Sequence, residues 1–187
     1  MKCSHFLSLA IAATISLSAW ADEGRLMRFP ATNGADVAFS YAGDIYTVPI
    51  AGGVAKRLTS HNGYEMFARF SPDGKTIAYT CRKKTGKAYA ESTNSDIYLY
   101  DIATGKTVKN LTEGMAGYDI NPTFSPDGTK IAFESMEHDG WESDKNRLFV
   151  IDLTTGERTD ISAAWDQSCA TLAWDGSGEN IYLTSCQ

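Results

Sequence analysis

FSPDGKTIAYT, residues Phe70–Thr80, returns as FSPDGTKIAFES at Phe124–Ser135, and this repetition decides the fold. Proline presets the first corner of a reverse turn near φ −65°, aspartate hydrogen-bonds the local backbone, and glycine takes the φ > 0 position. Pro72, Asp73 and Gly74, and likewise Pro126, Asp127 and Gly128, therefore read as structural turns that reverse the chain between two strands. Metal ligation or catalysis by Asp73 and Asp127 is the weaker reading, because the turn chemistry already accounts for both carboxylates.

Three kinds of segment recur in one order around these turns. The first is a strand that runs into the turn and out again: EMFARFSPDGKTIAYT, DINPTFSPDGTKIAFES and a worn copy, CATLAWDGSGENIYLTS. The second is an alternating strand, DIYTVPI, DIYLYDI and RLFVIDL; the third is a short strand after a glycine turn, GGVAKRLTS, TGKTVKNLTE and TGERTDISA. Phe70, Phe124 and Trp174 are 54 and 50 residues apart, and Ile45, Ile97 and Leu148 are 52 and 51 apart. A period near 50 with four short strands per unit is the signature of β-propeller blades. The strands alternate at period two, as sheets stacked between neighbours require.

The expected fold is all-β: an incomplete β-propeller of about three and a half four-stranded blades behind a signal peptide. Residues 35–60 are expected to supply three strands, 64–113 and 118–162 a full blade each, and 168–187 two strands. Closed propellers have four to eight blades. An open arc leaves strand edges unpaired, so the expectation is a truncated product or the front part of a longer protein.

The N-terminus, MKCSHFLSLAIAATISLSAWADEG, has the charged, apolar and small-residue order of a secretory signal cleaved after Ala21. Its apolar run falls short of the ~20 residues that a membrane span needs. The reading is therefore export to the periplasm or beyond, with no membrane span after cleavage. Formal net charge is −6, and removing residues 1–21 takes one lysine and no acid. No basic patch asks for nucleic acid, and the acidity favours solubility. Cys81, Cys169 and Cys186 remain, an odd number in an exported chain. Cys169 and Cys186 flank one expected hairpin, where a cross-strand disulfide competes with two small buried hydrophobes. No Cys/His spacing suggests a metal, and no cofactor is expected.

Two resemblances are carried by longer stretches. RFPATNGADVAFSYAGDIYTVPIAGGVAKRLTSHNGYEMFARFSPDGKTIA, residues 28–78, resembles the opening propeller of tricorn-type proteases. From Ile77 onward, IAYTCRKKTGKAYAESTNSDIYLYDIATGKT and NPTFSPDGTKIAFESMEHDGWESDKNRLFVIDLTTGE resemble the propeller of exported dipeptidyl-peptidase-type members of the prolyl oligopeptidase family. TolB-type envelope propellers carry SPDG repeats too. The change of resemblance near Ile77 reads as the trace of a recombined chain. The second resemblance implies a filter set over a separate α/β-hydrolase domain, with peptides or that domain as partners and envelope proteins as the alternative. The G-x-S-x-G elbow of such hydrolases does not occur in the chain; His61 and His138, the histidines beyond the signal, have no serine nucleophile pattern beside them. These residues alone are thus expected to be non-catalytic.

The loops from the second to the third strand, Arg82–Ser95 and Met136–Asn146, share one face and are chemically rich. Loops of this kind carry function more often than the scaffold beneath. Glu137, Asp139, Glu142 and Asp144, with Arg147 and Lys145 nearby, form the candidate site: carboxylates for a peptide's free amino end, or a surface against the hydrolase. The competing reading is a polar loop whose Trp141 plugs a gap between blades, with the acids bonded to backbone amides and Arg147. Calcium is disfavoured because EF-hand spacing is absent. The strand aromatics Tyr41, Tyr46, Tyr98, Tyr100, Phe133, Phe149, Trp165 and Trp174 read as core between blades rather than a ligand platform. Asn110-Leu111-Thr112 matches a glycosylation sequon, relevant only in a eukaryotic secretory pathway.

Overall fold

The computed structural model describes residues 26–186, so the signal sequence lies outside the described residues. Fourteen strands form an open propeller arc: β1(Arg28–Thr32), β2(Asp36–Tyr41), β3(Asp44–Pro49) and β4(Lys56–Arg57) make the first blade. The second is β5(Tyr64–Phe70), β6(Thr76–Arg82), β7(Asp96–Asp101) and β8(Lys106–Asn110); the third is β9(Asp119–Phe124), β10(Lys130–Ser135), β11(Arg147–Asp152) and β12(Arg158–Asp160). β13(Ser168–Trp174) and β14(Ile181–Cys186) form a two-stranded half blade. Each full blade is an antiparallel meander in chain order.

The first blade departs from the expected start at residue 35. RFPAT supplies its innermost strand, pairing Arg28 with Ser40 and Ala31 with Ala38 across a bulge. Its proline and its broken alternation hide it from a period-two reading. The same bulge recurs in every blade. Phe29, Phe67, Asn121 and Thr171, each three residues before the end of an inner strand, have φ of 52°, 55°, 54° and 55°. A non-glycine residue there costs roughly 1–2 kcal/mol, and the fourfold recurrence marks it as a property of the inner strand.

The Pro-Asp-Gly turns double as contacts between blades. Ser71 Oγ donates to Asp73 Oδ1 (2.7 Å), which also accepts from Lys75 N (3.1 Å); Ser125 Oγ and Thr129 N bond Asp127 in the same way, at 2.6 and 3.0 Å. These bonds hold the Asp73 carboxyl below its ordinary range and bring Asp127 down to about 2, the serine hydroxyl being the largest cause in both. In the worn copy the roles are exchanged, with Ser177 Oγ donating to Asp175 at 2.8 Å. A Cβ on Gly128 would stand 3.4 Å from Pro72 Cδ, and one on Gly178 3.4 Å from Pro126 Cδ. The glycines of the second and third turns thus rest against the proline of the preceding blade's turn, while Gly74 faces the Asn33 side chain at 3.5 Å.

The core lies in the seams between blades. Ile77, Tyr79 and Cys81 pack with Ala38, Ile45 and Ala68 of the neighbouring strands, while Ala78 on the other face of β6 meets Ile131, Phe133 and Leu111. On β10 likewise, Ile131 and Phe133 join the second blade, and Ala132 packs with Leu148 and Cys169. Large residues face the preceding blade and alanine the following one, so volume is filled from one side of each seam. Trp174 adds a hydrogen bond across the last seam, from Nε1 to Thr123 O at 2.9 Å.

Tyr98, Tyr100 and Phe133 are buried, as expected of core aromatics, but Tyr41 and Trp165 are 40% and 49% exposed. Both sit at strand ends or in connections, outside the layered part of the blade. Cys169 pairs in register with Ser185, and Cys186 with Ser168, so the two cysteines are not cross-strand partners. Cys81 and Cys169 are buried free thiols, and burial pushes Cys81 up to about 12. Leu111 and Thr112 of the sequon are buried. Among the described residues no helix is long and apolar enough to cross a membrane.

Candidate functional site

The two long loops emerge on the same face, as strand order requires, and they are bonded to each other. The first carries a short helix, α1(Lys87–Glu91), that the sequence reading missed; at five residues it is too short to leave a helical period. Arg82 and Lys83 of its basic run lie against aromatic rings. The Arg82 guanidinium lies 4.8 Å from the Tyr89 ring centroid and 5.7 Å from that of Tyr118, and Lys83 Nζ lies 3.8 Å from the Tyr98 ring. Cation–π contacts of this kind are worth about 0.5–2 kcal/mol each.

Asp139 joins the loops. Its Oδ1 accepts from Ser92 Oγ (2.6 Å), Thr93 N (2.8 Å) and Asn94 N (3.1 Å), and its Oδ2 from Lys84 Nζ (3.1 Å). Gly140 N returns a bond to Thr93 Oγ1 at 2.8 Å. The Ser92 hydroxyl, with the two amides and Lys84, holds the Asp139 carboxyl down at about 2. Asp144 is occupied within its own loop, where Oδ2 takes His138 N at 2.7 Å and faces His138 Nδ1 at 2.9 Å. Arg147 stands 3.9 Å from Glu137 and 4.0 Å from Asp160, with its guanidinium over the Phe149 ring.

The structure therefore does not bring the four acids together on one point. Asp139 belongs to the joint with the second blade, Asp144 to His138, and Glu137 to Arg147. Glu137 and Glu142 remain exposed at the surface of the loop. Trp141 is 61% exposed and tilts against the His138 ring at 5.6 Å, so it plugs no gap between blades. The loop turns back on itself through Asp144, and that carries the indole outward.

Beside the joined loops a cleft of about 820 Å³ opens between the first two blades, lined among others by Tyr41, Asp44, Arg57, His61, Lys84 and Tyr89. Arg57 Nη2 holds Asp44 Oδ2 at 2.8 Å on its wall. A smaller cavity of about 270 Å³ lies against the inner strands, with Arg69, Asn121, Glu134 and Thr171 around it. Glu134 is buried and held by Asn121 Nδ2 (3.0 Å) and Asn146 Nδ2 (3.2 Å); burial nonetheless raises its carboxyl above the ordinary range. Neither cavity was legible in the sequence, because their linings come from segments far apart in the chain. No group of three or more metal-binding side chains converges among the described residues.

Residues 24–112 match the tricorn protease N-terminal β-propeller domain. Dipeptidyl-peptidase 5 of Porphyromonas gingivalis is 52% identical over 126 residues, 67% of this chain and 18% of the relative. This β-propeller is homologous to the N-terminal part of dipeptidyl-peptidase 5. The enzyme of the same name from Porphyromonas endodontalis is 63% identical over 81 residues, 43% of this chain and 12% of the relative. The chain thus spans less than a fifth of the length of these relatives. Among solved structures, TolB from Acinetobacter baumannii has a TM-score of 0.63 at 21% identity, covering 84% of this chain and 37% of that one, which shows a shared fold.

The two resemblances overlap rather than meet near Ile77. The tricorn match runs on to Thr112. The dipeptidyl-peptidase 5 alignment, at 126 residues, is longer than the stretch from Ile77 to Gln187 and reaches back into the tricorn-like part. Both describe one continuous run of blades, which leaves the expected recombination point without support.

Proposed function

We propose that this chain is the propeller portion of an exported, dipeptidyl-peptidase-like serine peptidase. In this reading its second-to-third-strand face meets peptide substrates and the hydrolase domain that performs the chemistry. The observation that carries the reading is 52% identity over 126 residues to dipeptidyl-peptidase 5, far above the level at which propellers share only a fold. The face is suited to it: Asp139 fixes two loops of adjacent blades into one rigid rim beside the 820 Å³ cleft. In this reading the exposed Glu142, and the exposed Glu137 beside Arg147, take a peptide's amino end. Positioned charge-assisted bonds of this sort set register on a substrate.

The test is a segment exchange. The homologous stretch of the Porphyromonas gingivalis enzyme is replaced with the residues of this chain, and release of dipeptides is measured. Activity within about tenfold of the parent is expected, a loss of no more than ~1.4 kcal/mol in transition-state stabilisation. A stable, folded exchange enzyme without activity would return the chain to the role of a TolB-like scaffold. In the active exchange enzyme, Glu137→Ala with Glu142→Ala is expected to raise KM several-fold with kcat little changed, as loss of uniform binding does. An unchanged KM would leave those two carboxylates without a substrate role.

A further inference from the structure

Glu65, Asp119 and Cys169 occupy the same place in three successive blades, each five residues before the aromatic that ends its inner strand, Phe70, Phe124 or Trp174. All three are buried, Glu65 at 1% exposure and Asp119 and Cys169 at 0%. Each stands at the seam with the preceding blade, beside a hydroxyl that caps that blade's third strand. Thr59 Oγ1 accepts from Ile45 N (2.9 Å), Thr112 Oγ1 from Ile97 N (3.0 Å) and Ser162 Oγ from Leu148 N (2.8 Å). The residue before each capped amide is Asp44, Asp96 or Arg147. Two seams therefore hold a carboxyl, a threonine and a second carboxyl, while the third holds arginine, serine and cysteine.

The hydroxyl protons do not suffice for the carboxylates. In the first seam Thr59 Oγ1 donates to Glu65 Oε2, and Asp44, whose Oδ2 is held by Arg57, keeps a buried Oδ1 with no partner. In the second, the single proton of Thr112 Oγ1 goes to Asp96 Oδ1 (3.3 Å) and that of Ser135 Oγ to Met136 O (3.0 Å). Both hydroxyls lie close enough to Asp119 to favour its ionised form, yet both of its oxygens are buried without a donor. An ionised carboxylate left so is costly, whereas a neutral carboxyl supplies its own donor to a hydroxyl lone pair.

We infer that the first two blade seams are proton-loaded joints: the buried inner-strand carboxyl of each, Glu65 or Asp119, holds a proton near neutral pH, and losing it loosens the seam. The groups facing Glu65 are Asp44 on β3, Tyr79 and Cys81 on β6, and Lys83 just beyond β6. Those facing Asp119 are Asp96 on β7, Arg158 on β12, Ser135 on β10 and Thr112 after β8. The cations do not compensate: burial pushes both Glu65 and Asp119 up to about 7. Folded values above the unfolded ones mean that the native state holds extra protons between those limits. The seam contribution is therefore complete below the ordinary carboxyl range, declines as pH rises toward 7, and is absent above it. The inference stands independently of the peptidase reading.

Amide hydrogen exchange in the intact exported chain, corrected for intrinsic chemistry, is compared at about pH 5.5 and about pH 8.5. Protection at Ile45 and Ile97 is expected to fall by ~10-fold or more, since each unit of pKa shift is a factor of ten in the opening equilibrium. Glu65→Gln should abolish the change at Ile45, and Asp119→Asn that at Ile97. If Asp119→Asn fails to fold, infrared spectroscopy of the wild-type chain supplies the second readout: a carbonyl band of protonated carboxyl near neutral pH that vanishes at alkaline pH. Unchanged protection at Ile45 and Ile97 between the two pH values, a change there that survives Glu65→Gln and Asp119→Asn, or no protonated carboxyl near neutral pH, would overturn the inference.

Discussion

Gly117→Ala is expected to be among the most damaging single substitutions in the chain, lowering stability by about 3 kcal/mol. A Cβ at Gly117 would lie 1.9 Å from Met136 O and 2.4 Å from Met136 C, both backbone atoms. A flexible side chain could move aside, but here main chain must shift. The neighbouring bonds resist that: Met136 N donates to Tyr118 O at 3.3 Å, and Ser95 N to Gly117 O at 3.2 Å. Gly63, 54 residues earlier, has the same problem against Arg82 O at 2.2 Å, so the close approach belongs to the blade design. Gly176→Ala is the control, since a Cβ there meets nothing within 4 Å. Urea unfolding of both variants checks this; a Gly117→Ala midpoint equal to that of Gly176→Ala would refute the steric account.

Asp139→Ala should cost about 2 kcal/mol and free both loops of the candidate face. Its carboxylate accepts from the Ser92 hydroxyl, two backbone amides and Lys84, and hydrogen bonds to a charged group are worth about 1.5–3 kcal/mol where a partner is left unsatisfied. The side chain is 39% exposed, so water recovers part of the loss. Thermal unfolding and limited trypsin digestion measure it, with faster cleavage expected after Lys83, Lys84 and Lys87. The wild-type joint should also respond to acid. Its carboxyl is depressed to about 2, so its contribution is full above the ordinary aspartate range and is lost as pH falls through about 2. Trypsin resistance unchanged in the variant would mean that the loops are held by other contacts.

The joint illustrates why the candidate site was only half legible. Four acids within eight residues signal chemistry in a one-dimensional reading, because nothing in the string shows what each acid touches. Ser92 and Asp139 lie 47 residues apart, and only the stacking of two blades makes them partners. The same limit applies to Glu65 and Asp119. In sequence they are polar residues opening an alternating strand, and their burial follows from the blade that packs over them.

The blades were legible because they are local. Pro-Asp-Gly turns, period-two alternation and a spacing near 50 residues act over a few bonds or a single hairpin, and they specify strands, their order and the count of nearly three and a half blades. The first strand escaped because proline and a left-handed Phe29 interrupt its pattern, and pairing with β2 alone makes it a strand. What the sequence by itself determined was the repeated blade. What only the tertiary structure decided was the seam: which acids lose water, which carboxylate becomes a clasp, and which remain at the surface. Desolvation and long-range hydrogen bonding depend on distances between separate blades, and those distances exist only once the arc is assembled.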